Sequence, residues 1–235
     1  MIPPAELRKL LEQVALSKDV AALYTICTGA MEWTGARNAM VADFSSEAGH
    51  MTLRAGMGKD WSPAFLGEQI TIGDEGEGIT AYVAAMGISY KSDDVREETR
   101  YKRFIEGTRS ELASPIRDAD ARIRGVLNVE SDKIAAFNEE HKEALELLAV
   151  IAGLALDRED ARKREEALLQ IVNALDQAQS EDRLLKQVAQ VTQDVLGVSA
   201  YSIFLWDESA QAFVLKDVVG SSELPKAARY MPGEG

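Results

Sequence analysis

Few residues in this chain of 235 have the types and spacing that chemistry requires. The chain has one cysteine, Cys27, and two histidines, His50 and His141. Because these three residues stand far apart in the sequence, they do not have the spacing of a metal site. The residues that follow His141 also lack the pattern of a phospho-accepting kinase histidine. We therefore predict no metal site and no catalytic residue, and we expect both histidines to be solvated.

Cys27 falls on the apolar side of a predicted helix, together with Leu23 and Met31. A thiol buried among apolar side chains is usually inert, because the reactive thiolate is unfavourable there. We therefore predict a packing role for Cys27 rather than redox chemistry or covalent attachment of a chromophore. A single cysteine also excludes an intrachain disulfide.

A glycine-rich stretch at residues 76–81 fits the pattern G-x-G-x-x-A of dinucleotide-binding turns. In that arrangement a pyrophosphate binds at the N-terminus of the following helix. Here Asp74, Glu75 and Glu77 would stand beside the phosphates and repel them. We therefore expect these glycines to serve a tight turn.

The composition restricts the class of partner. The formal net charge is −13, which argues against a nucleic-acid surface or a polybasic membrane patch, because both need a local excess of Lys and Arg. No segment approaches the apolar length of a membrane-spanning helix, and residues 1–11 lack the apolar core of a signal peptide. We expect a cytoplasmic protein whose partners are small molecules or proteins, with no nucleic acid and no membrane.

The longest predicted element is a helix over residues 138–179. Apolar residues recur at helical spacing on both sides of residues 157–166, a segment in which only Ala161 is uncharged. Such a segment has no face for a core, so we predict a solvated helix that joins two packed bodies. Asn138 suits the N-cap position, and Glu139 and Glu140 suit the positive end of the helix dipole.

The residues before this helix predict alternating helices and strands. We predict two helices over residues 6–16 and 17–33 and a β-hairpin over residues 36–56. An irregular segment or short helix, an extended segment and a helix that ends at Gly87 follow. Residues 88–92 and two segments between 110 and 131 are predicted strands, and the charged residues 93–108 are predicted to be a mobile covering loop with a helical turn.

The chain contains an internal repeat at an offset of 162 residues. Residues 38–58 align with 200–220, and Cys27 corresponds to Ala189. Ser17-Lys18-Asp19 recurs as Ser180-Glu181-Asp182 with a slip of one residue, and residues 76–78 recur as 233–235. The second copy has no counterpart of residues 79–130, so we expect the sequence to be part of a longer protein.

The first copy resembles the GAF domain family. The resemblance rests on residues 76–95 and 110–156, above all on the strand GVLNVES and the helix start F-N-E-E at 137–140. It implies an α+β fold with a GAF-like antiparallel sheet, helices on one face and a small-molecule pocket on the other. We expect a complete GAF domain at 1–157, a connecting helix at 158–179 and the N-terminal half of a second GAF domain at 180–235.

The identity of the ligand is left open by this resemblance. Cyclic-nucleotide-binding GAF domains carry the signature N-K…F…D-E, whereas this chain has Asp132-Lys133, Phe137 and His141-Lys142. Lys133 and Phe137 match, but the Asn and the acidic pair do not, so cyclic nucleotide binding is disfavoured. Free methionine sulfoxide reductases share the fold, but they use cysteines in the ligand-side loops, and this chain has none there. The cofactor is therefore unknown.

Strand alternation predicts which side chains face a ligand. If Val41, Leu127 and Val129 face the helices, their neighbours along the strands face the pocket. Asn128 is the most informative of these residues, because a buried amide needs several hydrogen bonds that a ligand can supply. An alternative is that the same side chains simply fill a second core. The predicted ligand-binding residues are Met40, Phe44, Tyr82, Tyr101, Phe104, Ser114 and Asn128.

We interpret the chain as a small-molecule-sensing tandem GAF module of a cytoplasmic signal-transduction protein, without catalysis within these residues. The alternatives are a methionine sulfoxide reductase-like enzyme and a dimerising GAF scaffold without a ligand. We also expect a parallel homodimer with a coiled coil along residues 157–166, and a second-copy strand whose edge pairs with another chain. The expected dimer contacts are Leu7, Leu10, Leu11, Leu145, Leu148 and Ala152.

Overall fold

The structure, a computed structural model, describes residues 2–18, 20–44, 49–72, 78–177, 181–196, 200–219 and 228–233. Residues 76 and 77 of the glycine-rich stretch and the preceding Asp74 and Glu75 lie outside the described residues, as do Asp19, Ser180 and residues 234–235 of the repeat. The chain forms two compact units, Met1–Glu159 and Asp160–Gly235. None of the described helices is long and apolar enough to cross a membrane.

The first unit contains one antiparallel sheet of six strands, in the order β3-β2-β1-β6-β5-β4. Its strands are β1 (Asn38–Phe44), β2 (His50–Gly58), β3 (Gln69–Thr71), β4 (Tyr90–Ser92), β5 (Ser110–Arg117) and β6 (Ile123–Ser131). The predicted hairpin and all the predicted later strands are present. The fold is therefore α+β with a purely antiparallel sheet, as predicted.

The first unit also contains three complete helices and the first part of a fourth. They are α1 (Pro4–Leu16), α2 (Val20–Thr34), α3 (Ile79–Met86) and α4 (Glu139–Gln177), together with a 3-10 turn at Pro63–Phe65. Helix α3 ends where Gly87 adopts a left-handed conformation with φ of 68°, as the sequence predicted. Residues 93–109 contain turns but neither helix nor strand, so they form a loop over the sheet.

Helix α1 packs against α2 within the same chain. The side chain of Leu10 lies so close to Gly29 that a Cβ atom on Gly29 would stand 2.7 Å from it. Leu10, Leu145, Leu148 and Ala152 are all buried in the core of this unit. The expected use of these residues as dimer contacts is therefore wrong, because burial within one chain leaves no surface for a second copy.

One face of the sheet carries this helix-side core. Val41, Leu127 and Val129 point to it, as strand alternation predicted, and α2 and α4 cover them. Helix α4 crosses the end of β5 closely at Gly153, where a Cβ atom would stand 2.0 Å from the carbonyl oxygen of Arg117. A glycine is therefore required here for close approach of the helix to the strand.

Helix α4 begins as predicted and differs from the prediction in its charged segment. Asn138 caps the helix, because its Oδ1 accepts a hydrogen bond from the amide of His141 at 2.9 Å. Most of residues 157–166 are solvent-exposed, but Glu159 is only 6% exposed. The prediction of a wholly solvated segment is therefore wrong at Glu159, which is buried because Arg54 of the sheet pairs with it.

The second unit contains α5 (Glu181–Leu196) and the antiparallel strands β7 (Tyr201–Asp207), β8 (Ala212–Val219) and β9 (Arg229–Tyr230). Their order is β7-β8-β9, which leaves β7 at an edge of the described sheet. The register of β7 with β8 reproduces that of β1 with β2: Ile203 opposes Asp217, and Val41 opposes Ala55. In both hairpins a β-bulge follows this pair. The predicted repeat is therefore also a repeat of strand register.

Candidate functional site

The candidate site lies on the face of the sheet that α3 and the loop over residues 93–109 cover. Directly opposed residues on β1, β6 and β5 form rows across this face. One row consists of Asn38, Glu130 and Glu111, and the next contains Met40 and Asn128. Because the side chains in a row share one face, two carboxyl groups and an amide are brought together in the centre of the sheet.

Asn128 connects the sheet to helix α3. Its Nδ2 donates hydrogen bonds to Thr80 Oγ1 at 3.0 Å and to a carboxyl oxygen of Glu111. Asn128 is fully buried, and its Oδ1 has no hydrogen-bond partner in the described part of the chain. A buried carbonyl oxygen without a partner loses its hydration and gains nothing in return. This atom is therefore an acceptor that a donor group of a ligand could satisfy.

The two carboxyl groups are buried without a compensating cation. No ion pair with Lys or Arg is formed by Glu111 or Glu130 among the described residues, and Glu130 accepts a hydrogen bond from Thr108. Burial raises the pKa of Glu130 to about 7, against the lowering effect of the Thr108 bond. Burial and the negative charge of Glu130 raise the pKa of Glu111 well above its usual value of 4.5. Both shifts favour the protonated, uncharged form of the carboxyl groups.

An aromatic wall adjoins this polar centre. Phe65 and Phe104 have ring centroids 4.6 Å apart, and Trp61 lies 5.4 Å from Phe65 and 6.4 Å from Phe104. Gly56 of β2 makes room for the indole, because a Cβ atom there would stand 2.3 Å from Trp61. The wall packs on the apolar residues of this sheet face. The site thus combines an acidic end with an apolar, aromatic end.

Tyr101 lies where the two ends meet. Its hydroxyl group is buried and lies near Thr108 without the geometry of a hydrogen bond. Burial first, and then the negative charge of Glu130, raises the pKa of Tyr101 to about 12. The hydroxyl group therefore stays protonated, and it can donate to a ligand or accept from one.

Side-chain contacts hold the covering loop on the sheet. Asp94 pairs with Arg109 at 2.7 Å, and the Tyr90 hydroxyl donates to Glu98 at 2.5 Å. The guanidinium carbon of Arg100 lies 4.6 Å from the ring centroid of Tyr82. These contacts lie at the outer edge of the loop, whereas Tyr101 and Phe104 extend from it towards the sheet.

The structure brings together five of the seven predicted ligand-binding residues. Met40, Phe44, Tyr101 and Phe104 belong to one apolar cluster, and Asn128 opposes Met40 on the neighbouring strand. The other two residues are separated from this group.

Tyr82 lies on the outer side of α3, where its ring packs against Tyr90 with centroids 5.2 Å apart. Ser114 lies on the opposite face of the sheet, because it is two residues from both Leu112 and Ile116 of the helix-side core and so shares their face of β5. Its hydroxyl group lies 3.0 Å from that of Ser89. The prediction that Ser114 faces the ligand is therefore wrong. Its spacing of two residues from Leu112 indicates the helix-side face.

Sequence reasoning missed the polar centre other than Asn128. Glu111 and Glu130 were not singled out, although Glu130 stands two positions after Asn128 and must share its face of the strand. A charged residue at an inward-facing strand position was the available signal. Trp61, Phe65 and Thr80 gave no such signal, because loop and helix geometry bring them to the site.

A metal ion is not indicated by the described residues. No group of three or more His, Cys, Asp or Glu side chains in the described ranges is arranged to hold one. The two carboxyl groups and the amide suit instead a ligand that donates hydrogen bonds and carries positive charge.

An antiparallel sheet with helices on one face and a short helix and a loop on the other is the architecture of a class of small-molecule-binding regulatory domains. The family model described as GAF domain matches residues 17–157. The chain therefore belongs to the GAF domain family, whose members commonly bind small molecules and generally have regulatory roles. A search for similar sequences among curated proteins found no match.

Solved structures with the same fold come from several kinds of protein. The GAF domain of an Acinetobacter phosphoenolpyruvate-protein phosphotransferase is 15% identical with a TM-score of 0.59, and the match covers 68% of this chain and 97% of that chain. Free methionine-R-sulfoxide reductase from Neisseria meningitidis, solved in complex with its substrate, is 22% identical with a TM-score of 0.58, covering 66% and 89%.

A bacteriophytochrome from the photosynthetic bacterium R. palustris is 14% identical with a TM-score of 0.56, covering 94% of this chain and 51% of that chain. At these identities the likeness establishes the fold alone.

Proposed function

We propose that the first unit is a regulatory GAF domain that senses a small molecule carrying a protonated amine and an apolar body. The observation that carries this proposal is the buried Oδ1 of Asn128, which has no partner among the described residues, beside two buried carboxyl groups that form no ion pair there. An ammonium group has three donors and one positive charge. It matches the Asn128 carbonyl and the ionised form of Glu111 or Glu130 at the same time.

The aromatic wall supports the apolar part of this ligand. Trp61, Phe65 and Phe104 offer ring faces and edges next to the acidic centre. Binding sites for small molecules are mostly apolar with a few polar groups that fix orientation, and this face has that composition. A ligand of this kind would be charged at one end and hydrocarbon at the other.

The proposed function is non-catalytic within these residues. The single cysteine, Cys27, is fully buried on α2, on the helix side of the sheet. Burial raises the pKa of its thiol to about 12, so the reactive thiolate is strongly disfavoured. The reductase-like alternative predicts turnover of free methionine sulfoxide with a thiol reductant. We expect none, and turnover by the purified chain would favour that alternative.

A matched pair of probes tests the ligand class. Protonated 2-phenylethylamine and neutral 2-phenylethanol have nearly the same shape and differ in the ammonium group. A ligand that binds the native state raises the melting temperature by mass action. We expect the amine to raise the melting temperature at pH 8 in a concentration-dependent way, and the alcohol to leave it unchanged. Equal shifts with both probes, or no shift with either, would contradict the proposed ligand class.

Two variants localise the binding. Asn128→Leu removes the carbonyl acceptor and should abolish the shift caused by the amine. Ser114→Ala is the matched control, because it changes a buried polar residue on the opposite face of the same sheet. A shift that survives in Asn128→Leu would place the amine elsewhere. If instead no small molecule in a broad screen binds and no dependence on Asn128 appears, the ligand-free scaffold alternative is favoured.

We also propose that residues 180–235 are the N-terminal half of a second GAF domain and that residues 158–179 connect the two. The repeated register and bulge of β7 with β8 support this. The strand β7 has apolar residues on both faces, which is typical of a central strand rather than an edge. Its open edge would accept an antiparallel strand, and strong protection of the Ile203–Leu205 amides from exchange in a dilute monomer would contradict that need.

A cytoplasmic homodimer belongs to the same proposal, with contacts that differ from the expected ones. Leu147, Val150 and Leu154 of α4 are solvent-exposed and spaced i, i+3 and i+7, which places them on one stripe of the helix. Light scattering at micromolar concentration should give twice the chain mass. Leu154→Glu should give the monomer mass, and a monomer in the unsubstituted protein would exclude the dimer.

A further inference from the structure

Arg54 occupies a β-bulge that directs it away from the ladder of the hairpin. The register of β1 with β2 passes from the pair Val41 and Ala55 to the pair Ala42 and Leu53, which leaves Arg54 without an opposite residue. A bulge re-aims the side chain of the extra residue and increases the local twist of the strand. Here the guanidinium group reaches the helix side of the sheet.

The guanidinium group of Arg54 joins two buried carboxylates. Its Nη1 lies 2.7 Å from Oδ2 of Asp43, and its Nη2 lies 2.9 Å from Oε1 of Glu159. Asp43 is 2% exposed and Glu159 is 6% exposed. Arg124 also approaches Asp43, at 3.9 Å. The guanidinium group of an arginine is planar and has several N–H donors, so it can bind two carboxylates at once. The ammonium group of a lysine does this less well.

The three residues connect elements with different roles. Asp43 belongs to β1, Arg54 to β2, and Glu159 is the last residue of the first unit on α4. Removal of the guanidinium group would take a charged partner from two buried carboxylates at once, which is unfavourable. The ion pairs therefore couple the position of the α4 turn that contains Glu159 to the positions of β1 and β2.

The same two strands carry the candidate site on their other face. Ala42 and Phe44 flank Asp43 along β1 and point into the apolar cluster of the site, as does Leu53 next to Arg54. A strand is stiff across its thickness, so a shift of Phe44 on one face moves Asp43 on the other.

We propose that Arg54 is the coupling residue through which a change at the site face of β1 and β2 reaches the last turn of α4 in the first unit, residues 154–159. This inference rests on the proposed sensing function for its biological meaning and names the regulatory route from that site. Its physical content is separate: a perturbation of Phe44 alters the exposure of this turn only while the Arg54 pairs are intact.

The second unit has the same β-bulge but lacks the acidic partner on the neighbouring strand. Its corresponding bulge falls at Lys216, between the pairs of Ile203 with Asp217 and of Phe204 with Leu215. The position equivalent to Asp43 is Leu205, which cannot accept a charge. The bulge is therefore common to both hairpins, whereas the buried pair of carboxylates around a basic residue belongs to the first unit.

Hydrogen–deuterium exchange of residues 154–159 tests the coupling without any ligand. The four samples are the unsubstituted protein, Phe44→Ala, Arg54→Gln and the double variant. We expect Phe44→Ala alone to accelerate exchange in this turn by about tenfold, because the truncated side chain loosens β1. In the Arg54→Gln background, where the turn already exchanges faster, Phe44→Ala should add no further acceleration. An equal acceleration in both backgrounds would overturn the proposal.

Three controls keep the outcome interpretable. Arg162→Gln removes an exposed pair with Glu166 on the same helix and should leave the exchange of residues 154–159 unchanged. Arg54→Lys should give intermediate coupling, since the charge remains but the fork is lost. If Arg54→Gln fails to fold by circular dichroism, Glu159→Gln removes the same pair from the helix side and replaces it in the four samples. Because no amine is present, failure of this test leaves the proposed ligand class standing, and the reverse also holds.

Discussion

The two faces of the six-stranded sheet contrast in how their buried groups are satisfied. On the helix side, Val41, Leu127 and Val129 pack against leucines and alanines of α2 and α4, and the charged exceptions Asp43 and Glu159 are joined by Arg54. On the other face, the same strands bury Glu111, Glu130 and Asn128 without a cation and with one unpartnered acceptor.

The difference supports the proposal that the helix-side face serves stability and the opposite face serves binding. A face that only had to be stable would fill its centre with apolar side chains, as the helix side does, because unpaired buried polar groups cost free energy. The polar centre therefore stores an unfavourable state that a complementary ligand can relieve. Changes on the two faces should separate accordingly into effects on folding and effects on binding.

The largest expected effect comes from the helix side. Leu148→Ala removes a fully buried side chain and should lower the free energy of unfolding by about 3 kcal/mol, through lost burial and the cavity left behind. Urea denaturation measures this change. At temperatures where the variant is folded, amine binding should be unaffected. A loss of less than about 1 kcal/mol would mean that this face is not the stabilising one.

The next effect is a pH dependence that originates on the site face. The pKa of Glu130 is raised from 4.5 to about 7, so between these values the folded state keeps a proton that the unfolded state has lost. The free energy of unfolding should therefore fall as pH rises through this window, by about 3 kcal/mol for this group. Urea denaturation at pH 5 and pH 8 measures the fall.

Glu130→Gln tests the origin of that fall. The neutral amide cannot ionise, so the part of the fall that Glu130 contributes should disappear, whereas the part from Glu111, whose pKa burial also raises, should remain. A bound amine should act in the opposite sense, because it stabilises the ionised carboxylate, so its affinity should rise with pH across the same window. An unchanged pH dependence in Glu130→Gln would assign the effect to other groups.

Asn128→Leu should change the stability only slightly but abolish amine binding. The substitution removes the unpartnered carbonyl but deprives Thr80 and Glu111 of a hydrogen bond. These changes oppose each other, so the free energy of unfolding should change by no more than about 1 kcal/mol. Calorimetric titration with 2-phenylethylamine should show no binding. Unfolding of the variant would instead make Asn128 a structural residue.

The smallest effect is expected for Ser114→Ala. Its hydroxyl group contacts that of Ser89 on the helix side, a single neutral contact whose loss should cost about 0.5–1 kcal/mol. Amine affinity should stay within about twofold of that of the unsubstituted protein, a change of roughly 0.4 kcal/mol. Loss of amine binding in this variant would mean that the two faces are not independent.

The sequence by itself determined the succession of elements and the phase of most strands. Alternation along β1 and β6 assigned Val41 and Leu127 to the helices and Met40 and Asn128 to the opposite face, because side chains of a strand alternate strictly. The repeat at 162 residues likewise predicted the register of the second hairpin. Helix starts and stops at Asn138 and Gly87 followed from local backbone chemistry.

Only the tertiary structure decided which charged residues are buried and what lies beside them. Glu111, Glu130 and Glu159 read as ordinary surface acids in the sequence, because burial depends on contacts between residues far apart along the chain. Leu10 and Leu145 read as an exposed stripe for the same reason, although helix packing within one chain covers them. Local pattern specifies elements, whereas the environment of a charge is a property of the assembled sheet and its helices.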